Sequence, residues 1–341
     1  MIFPHLKIAN NVYAEKPIIQ GGMAIRVSRA PLAAAVANCG GIGLIAASGL
    51  PEPELREQIR YARSIITNKG GLLGVNIMYA ASEFTNLVRI SIEEKVDLIV
   101  FGAGFSRDIF SAGREAGVPI VPIVSSAKLA VMSKRLGATA IIVESGEAGG
   151  HIGTCEPIRK LIPEIRTALD NTPDYPGANG VSLIAAGGIT SGADIMEILS
   201  LGANGVQMAT RFVLSTECDV HDNFKQLFLN TEEKDVCIIK SPVGMPARAI
   251  LTPLTKKIIE SETENLTKCV SCLKHCSQSF CIIRALELAR KGDIENGLFF
   301  TGGNVTKYKD IIPVKEIFER FENEAREYLK QKELQQAGSI S

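Results

Sequence analysis

Eight short apolar runs, each closed by a glycine-bearing or polar loop and most followed by a helical stretch, recur through the first 210 residues. They fall at residues 17–20, 42–46, 72–77, 97–101, 119–124, 140–143, 182–186 and 205–209. Helical stretches alternate with them, at 31–38, 52–66, 83–94, 127–136, 157–169 and 193–201, with a further one ending near Gly117. Strand–helix alternation of this kind predicts an α/β fold with a parallel sheet. The count of eight and the repeated glycine loops favour a closed (β/α)8 TIM barrel over its runner-up, the open doubly wound sheet. Residues 1–250 are assigned to the barrel. Residues 251–341 are expected to form a mainly helical, cysteine-containing extension that packs on it.

Charge excludes some functions. The 341 residues carry 37 Lys plus Arg against 37 Asp plus Glu, so no excess attracts nucleic acid or an anionic membrane. The first ten residues lack a basic segment followed by an apolar run, which argues against a secretory signal. Residues 32–50 are broken by Asn38, Gly40, Gly41 and Gly43, unlike a membrane span. A cytoplasmic protein is expected. Its eight cysteines should be reduced thiols or metal ligands, not a disulfide framework.

Chemistry is expected at the carboxyl ends of the strands. After the run 140–143 comes Glu144-Ser-Gly-Glu-Ala-Gly-Gly-His151, a turn with a histidine that can act as acid or base. The plainer reading of that turn is a tight corner with a partly exposed histidine. Gly187-Gly188 and Ala209-Thr210 end the seventh and eighth runs, where barrels often bind phosphate with backbone amides and a helix amino terminus. Gln207 and Thr210 add side-chain donors, and Arg211 is the one basic residue nearby. Gly22, Met23 and Asn76 end earlier strands at the same mouth, where Asn76 could bond the edge of a planar heterocycle.

Five motifs, Pro17-Ile-Ile-Gln-Gly-Gly-Met23, Gly74-Val-Asn-Ile-Met78, Glu147-Ala-Gly-Gly-His151, Ala185-Ala-Gly-Gly-Ile189 and Val206-Gln-Met-Ala-Thr-Arg-Phe212, occur in this order. Together they resemble the flavin-binding motifs of the nitronate monooxygenase (2-nitropropane dioxygenase-like) family, which includes the FMN-dependent enoyl-acyl carrier protein reductases II. The resemblance covers roughly residues 10–250 and is specific for the superfamily, not for one substrate. It implies an FMN-bearing barrel. Gly22 and Met23 would approach the flavin ring, and Asn76 and Glu144 would contact the flavin or its ribityl chain. Gly150, Gly187, Gly188, Gln207 and Thr210 would hold the phosphate end. His151 matches the catalytic histidine. The implied reaction is oxidation of alkyl nitronates with O2 to a carbonyl compound and nitrite. The alternative is NAD(P)H-dependent reduction of an enoyl thioester or another acceptor.

Ala209 and Ser145 depart from the glycines usual in these motifs, which touches the phosphate contacts more than the flavin. The extension holds Cys269, Cys272, Cys276 and Cys281 within 13 residues, enough soft ligands for one zinc or an iron–sulfur cluster. The competing expectation is one apolar face of a helix, because Cys269, Cys272 and Cys276 follow i, i+3, i+7 spacing. Cys155 could line the site, though a buried structural thiol is the simpler expectation. The tail is also a candidate for homodimer contacts.

Overall fold

The computed structural model describes residues 2–263 and 269–338. The chain enters through a hairpin, β1 (Leu6–Ala9) and β2 (Val12–Ala14). It then runs through β3 (Ile18–Gln20), β4 (Ile42–Ala46), β5 (Leu72–Met78), β6 (Leu98–Gly102), β7 (Ile120–Val124) and β8 (Ala140–Glu144). A two-residue strand, β9 (Gly150–His151), stands outside the barrel, which β10 (Ser182–Ala186) and β11 (Gly205–Met208) complete. All eight barrel strands are parallel, and β11 closes on β3 with Val206 opposite Ile18 and Met208 opposite Gln20. The structure is therefore the closed (β/α)8 barrel, not the open sheet.

Closure follows from strands that are apolar on both faces. Ile19, Leu44, Leu98, Val100, Ile142 and Ile184 fill the interior, where Leu6, Ile8 and Ala14 of the hairpin join them. Thr139, just before β8, donates its hydroxyl to Ile8 O at 2.7 Å, so the hairpin plugs the amino-terminal end. Only the carboxyl end is left for a ligand. The opposite strand faces meet α1 (Ala30–Asn38), α2 (Glu52–Ile65), α3 (Phe84–Glu93), α4 (Ile109–Ala116), α5 (Ala127–Arg135), α6 (Ile158–Asp170) and α7 (Gly192–Ser200). Helix α1 rides close to the barrel because its face is alanine; a Cβ on Gly43 would lie 1.9 Å from Ala33 O.

A single turn, α8 (Thr210–Val213), and α9 (Asp222–Asn230) lead to an antiparallel pair, β12 (Val236–Lys240) and β13 (Pro246–Ile250). Strand β13 also pairs with β9, placing Ala247 opposite His151 and Arg248 opposite Gly150. Then follow α10 (Pro253–Glu260), α11 (Ile282–Arg290) and α12 (Val314–Gly338). Residues 264–268, part of the extension expected to pack on the barrel, lie outside the described residues. Helix α12 buries Ile317 and Phe321 against the barrel helices, and a Cβ on Gly192 of α7 would lie 1.9 Å from Phe321 O.

One expectation fails here. Residues 269–281 form no helix, so Cys269, Cys272 and Cys276 make no common helical face; α11 starts only after Cys281. Periodicity over seven residues was too short to specify a helix against the contacts that hold this loop extended. No described helix is long and apolar enough to cross a membrane.

Candidate active site

The loop after β8 is held by contacts distant in sequence. Ser145 N donates to Ala186 O at 3.0 Å, and its buried hydroxyl accepts from Glu147 N at 3.2 Å. Arg248 Nη1 donates to Gly146 O at 2.5 Å and Ala148 O at 2.7 Å, fastening both carbonyls to β13. The Gly149-Gly150 pair then passes against the extension, where a Cβ on Gly149 would lie 2.5 Å from the Thr301 carbonyl carbon. Gly150 has φ +74°. These constraints deliver His151 to the mouth of the barrel.

His151 is half-buried, with Nε2 2.7 Å from Ser241 Oγ and its ring edge-on to Phe300 at 5.4 Å. Burial lowers its pKa to about 4, so the imidazole is neutral at pH 7. Glu144 is shifted the opposite way, up to about 8, also by burial. One cleft thus presents a neutral base and a protonated carboxyl, the pairing that separates proton acceptor from proton donor.

Gly22, Met23, Asn76, Glu144, Gly150, His151, Gln207 and Thr210 all line this cleft, whose free volume is about 250 Å³. Gly187 and Gly188 lie in an adjoining recess of about 80 Å³, which shares Glu144, Gln207 and Thr210 with the cleft. The backbone is shaped for close approach. A Cβ on Gly22 would lie 2.2 Å from Asn76 Cβ, and Gly187 and Gly188 adopt φ +88° and +75°. Gln207 Oε1 is buried with no protein partner, a lone pair left for something in the cleft. Ala209 has φ −121°, on the negative side that a side chain tolerates, so this position does not require glycine.

Three expectations about the recess change. The amino terminus of α7 is already satisfied: Ser191 Oγ accepts from Asp194 N at 3.1 Å, Asp194 Oδ2 accepts from Ser191 N, and Glu324 Oε2 accepts from Gly192 N at 2.6 Å. Helix α8 has only four residues. The recess is instead completed by a loop of the extension, with Gly302 N donating to Thr210 Oγ1 at 3.0 Å and Gly303 N to Glu147 O at 3.1 Å. Arg211 points away, buried and paired with Asp310 at 2.8 Å, because its long side chain finds a carboxylate beneath the loop. Cys155 lines neither cavity and is exposed, so it is neither a site residue nor a buried thiol.

Ser241, Arg248, Phe300 and Gly302 are the site residues that the sequence did not reveal. Only the Gly302-Gly303 pair carried a visible signal. The others lie about 90 to 150 residues from the histidine loop and reach it through tertiary contacts.

Comparison with known proteins now bears on this geometry. Residues 7–86 and 69–324 match the family model described as nitronate monooxygenase. The chain belongs to the nitronate monooxygenase family. Within that family, a probable nitronate monooxygenase of Staphylococcus aureus (strain Newman) is 30% identical over 273 residues, 69% of this chain and 75% of the relative. A Mycobacterium tuberculosis protein named as a hydroxy-methyl-oxo-octahydroindene-carboxyl-CoA dehydrogenase is 33% identical over 244 residues. That match spans 72% of this chain and 65% of the dehydrogenase. Among solved structures, FabK from Thermotoga maritima superposes with TM-score 0.82 at 34% identity, covering 94% of this chain and 96% of that one. Nitroalkane oxidase from Streptomyces ansochromogenes shares the fold, with TM-score 0.75 at 21% identity. A nitronate monooxygenase-family barrel is thus placed among oxidoreductases of several substrates.

Proposed function

We propose that the chain is an FMN-dependent oxidoreductase of nitronate monooxygenase type, oxidising alkyl nitronates with O2 to a carbonyl compound and nitrite. The residues present fit FMN. Gly22 lets the strand end pack directly against Asn76 at the cleft, Gln207 offers its unpartnered oxygen, and the backbone at Gly187 and Gly188 turns with positive φ along the recess where the phosphate would lie. Met23 would lie near the ring, and Glu144, Gly150 and Thr210, which line the cleft, would face the ribityl chain and the phosphate end. Residues 1–250 form the FMN-binding barrel in this reading, and 251–341 are the extension that walls its mouth. We take the enzyme to be cytoplasmic, with a small-molecule substrate and O2 as its reactants and a homodimer as its assembly.

When bound, FMN supplies the electron acceptor for the substrate. The chain's own residues bind, orient and move protons. His151 carries the reading: a neutral imidazole, its ring fixed by Ser241, is ready to accept a proton from a neutral nitroalkane or to position a nitronate. Arg248 acts through the loop, since its two carbonyl contacts fix the path that presents His151.

A second reading is favoured by the opposite wall. Leu273, Ile282, Leu286 and Leu298 line the cleft with apolar surface suited to an acyl chain, and Glu144 is a protonated donor at neutral pH. These features suit NAD(P)H-dependent reduction of an enoyl thioester, in keeping with the likeness to FabK. Anaerobic stopped-flow absorbance at about 450 nm, where oxidised flavin absorbs, separates the two. Bleaching by propionate 3-nitronate, with no response to NADH or NADPH, is the expected result. Rapid bleaching by a nicotinamide alone overturns the monooxygenase reading in favour of a reductase.

A further inference from the structure

Four of the eight cysteines lie in one loop of the extension that the chemistry above leaves unused. The loop is pinned at the barrel mouth. Leu273 bridges Ala81 in antiparallel register, Ser82 N donates to Cys272 O at 3.0 Å, and Lys274 N donates to Ala80 O at 2.9 Å. Farther on, Ser277 N donates to Pro242 O at 3.0 Å, and Cys281 takes the N-cap of the nine-residue α11. All four thiols are free; Cys269 is exposed and the other three are half-buried. Leu273, Phe280 and Ile282 are buried beneath them.

Two of the four sulfurs share a local device. Ser271 N donates to Cys269 Sγ at 3.4 Å, and Gln278 N donates to Cys276 Sγ at 3.3 Å, each from two residues downstream. Both donor residues adopt positive φ, 51° and 58°, although neither is glycine. That conformation is unfavourable for a residue with a side chain, and in both places it aims a backbone N–H at sulfur. Backbone N–H donors to sulfur are a recognised lever on sulfur-ligated iron. Cys272 and Cys276 pack against the same buried cluster that holds Leu273, Phe280 and Ile282.

The donor set separates one metal from several. Four thiolates select zinc or an iron–sulfur cluster, and the fifth candidate ligand, His275, is exposed. Zinc, with bonds of about 2.3 Å, draws its four sulfurs to about 3.8 Å of one another. No three His, Cys, Asp or Glu side chains among the described residues are gathered to hold one ion in that way. A cube of four irons takes one thiolate at each iron corner and spreads the same four ligands farther apart. We propose that Cys269, Cys272, Cys276 and Cys281 ligate a [4Fe–4S] cluster on the wall of the cleft, where Cys272 and Leu273 already line it. The site holds whichever substrate reading is correct.

The test uses the full chain, purified without oxygen, treated with ferrous iron and sulfide, and desalted. Iron, acid-labile sulfide, zinc and released FMN are then measured separately. About four irons and four sulfides per chain are expected, with an electron paramagnetic resonance signal after dithionite. Cys276→Ser and Cys281→Ser are each expected to lower iron by about tenfold or more while FMN content and far-ultraviolet circular dichroism stay unchanged. Cys39→Ser, outside the loop, keeps its iron. Background iron in the wild type overturns the proposal, whether the thiols are free, paired or holding one zinc. Iron retained by both loop variants also overturns it. If neither variant is soluble, the wild-type iron and sulfide decide. Missing FMN with iron retained counts against the flavin reading and leaves the cluster standing.

Discussion

Replacing His151 with glutamine tests whether a neutral, buried imidazole sits at the centre of the site. Burial lowers its pKa from 6.5 to about 4 in the folded protein. In the unfolded chain the ordinary value returns, and that gap corresponds to roughly 3 kcal/mol. Above pH 6.5 both states hold the ring neutral, and the gap costs nothing. As pH falls below 6.5, the unfolded chain takes a proton that the folded one refuses, so stability is lost until about pH 4. Below that, the folded protein binds the proton too and the loss is complete. Contact of the ring edge with cleft water reduces the figure, so roughly 3 kcal/mol is an upper value.

Glutamine keeps a hydrogen-bonding group near Ser241 and removes the titration. Urea unfolding of the flavin-free wild type and variant, compared at each pH from about 8 to 4, isolates the histidine from every other titrating group. The stability difference is expected to move toward the variant by up to about 3 kcal/mol across that range. A difference that stays constant with pH refutes the buried neutral imidazole. The same variant, with FMN bound, is expected to lose about 10² or more in turnover if His151 is an acid or base. An unchanged rate removes it from the mechanism.

The carboxyl of Glu144 makes the mirror prediction. Its pKa is raised to about 8, so the stability it contributes is complete below its ordinary value of 4.5 and is lost as pH rises through about 8. In flavin-free protein, Glu144→Gln is expected to gain on the wild type by up to roughly 4 kcal/mol between about pH 4.5 and 8.5, read by urea unfolding, an upper value because the half-buried carboxyl faces the open cleft. A flat difference contradicts the protonated carboxyl. Gly188→Leu is expected to expel FMN, because φ there is +75° and a Cβ would lie 2.5 Å from Glu147 Oε2. Recovery of fully yellow protein, by flavin absorbance after desalting, sinks the phosphate assignment.

The barrel was legible because its signals are local. Each strand is a short run of apolar residues, each corner holds glycine or a helix start, and the count is insensitive to boundary errors. The motifs on those corners were legible for the same reason, and residues such as Gly22, Asn76 and Gln207 do line one cleft. The hairpin that plugs the barrel was missed, since β2 has only three residues and its pattern is weak. The pairing of β12 with β13 was not legible, because β13 reads Pro-Ala-Arg-Ala-Ile, with Arg248 interrupting its apolar residues.

The sequence by itself determined the fold class, the end of the barrel where chemistry belongs, and the histidine that its glycine loop presents. Those follow from backbone preference and burial within single segments. Tertiary structure alone decided what fixes and tunes that histidine. Ser241 and Arg248 reach it through the pairing of β13 with β9, and the low pKa arises from protein packed around the ring by distant segments. It also decided that Arg211 turns to Asp310 while Gly302 completes the recess. Charge and hydrogen-bond partners depend on which surfaces meet, and no spacing along the chain records that meeting.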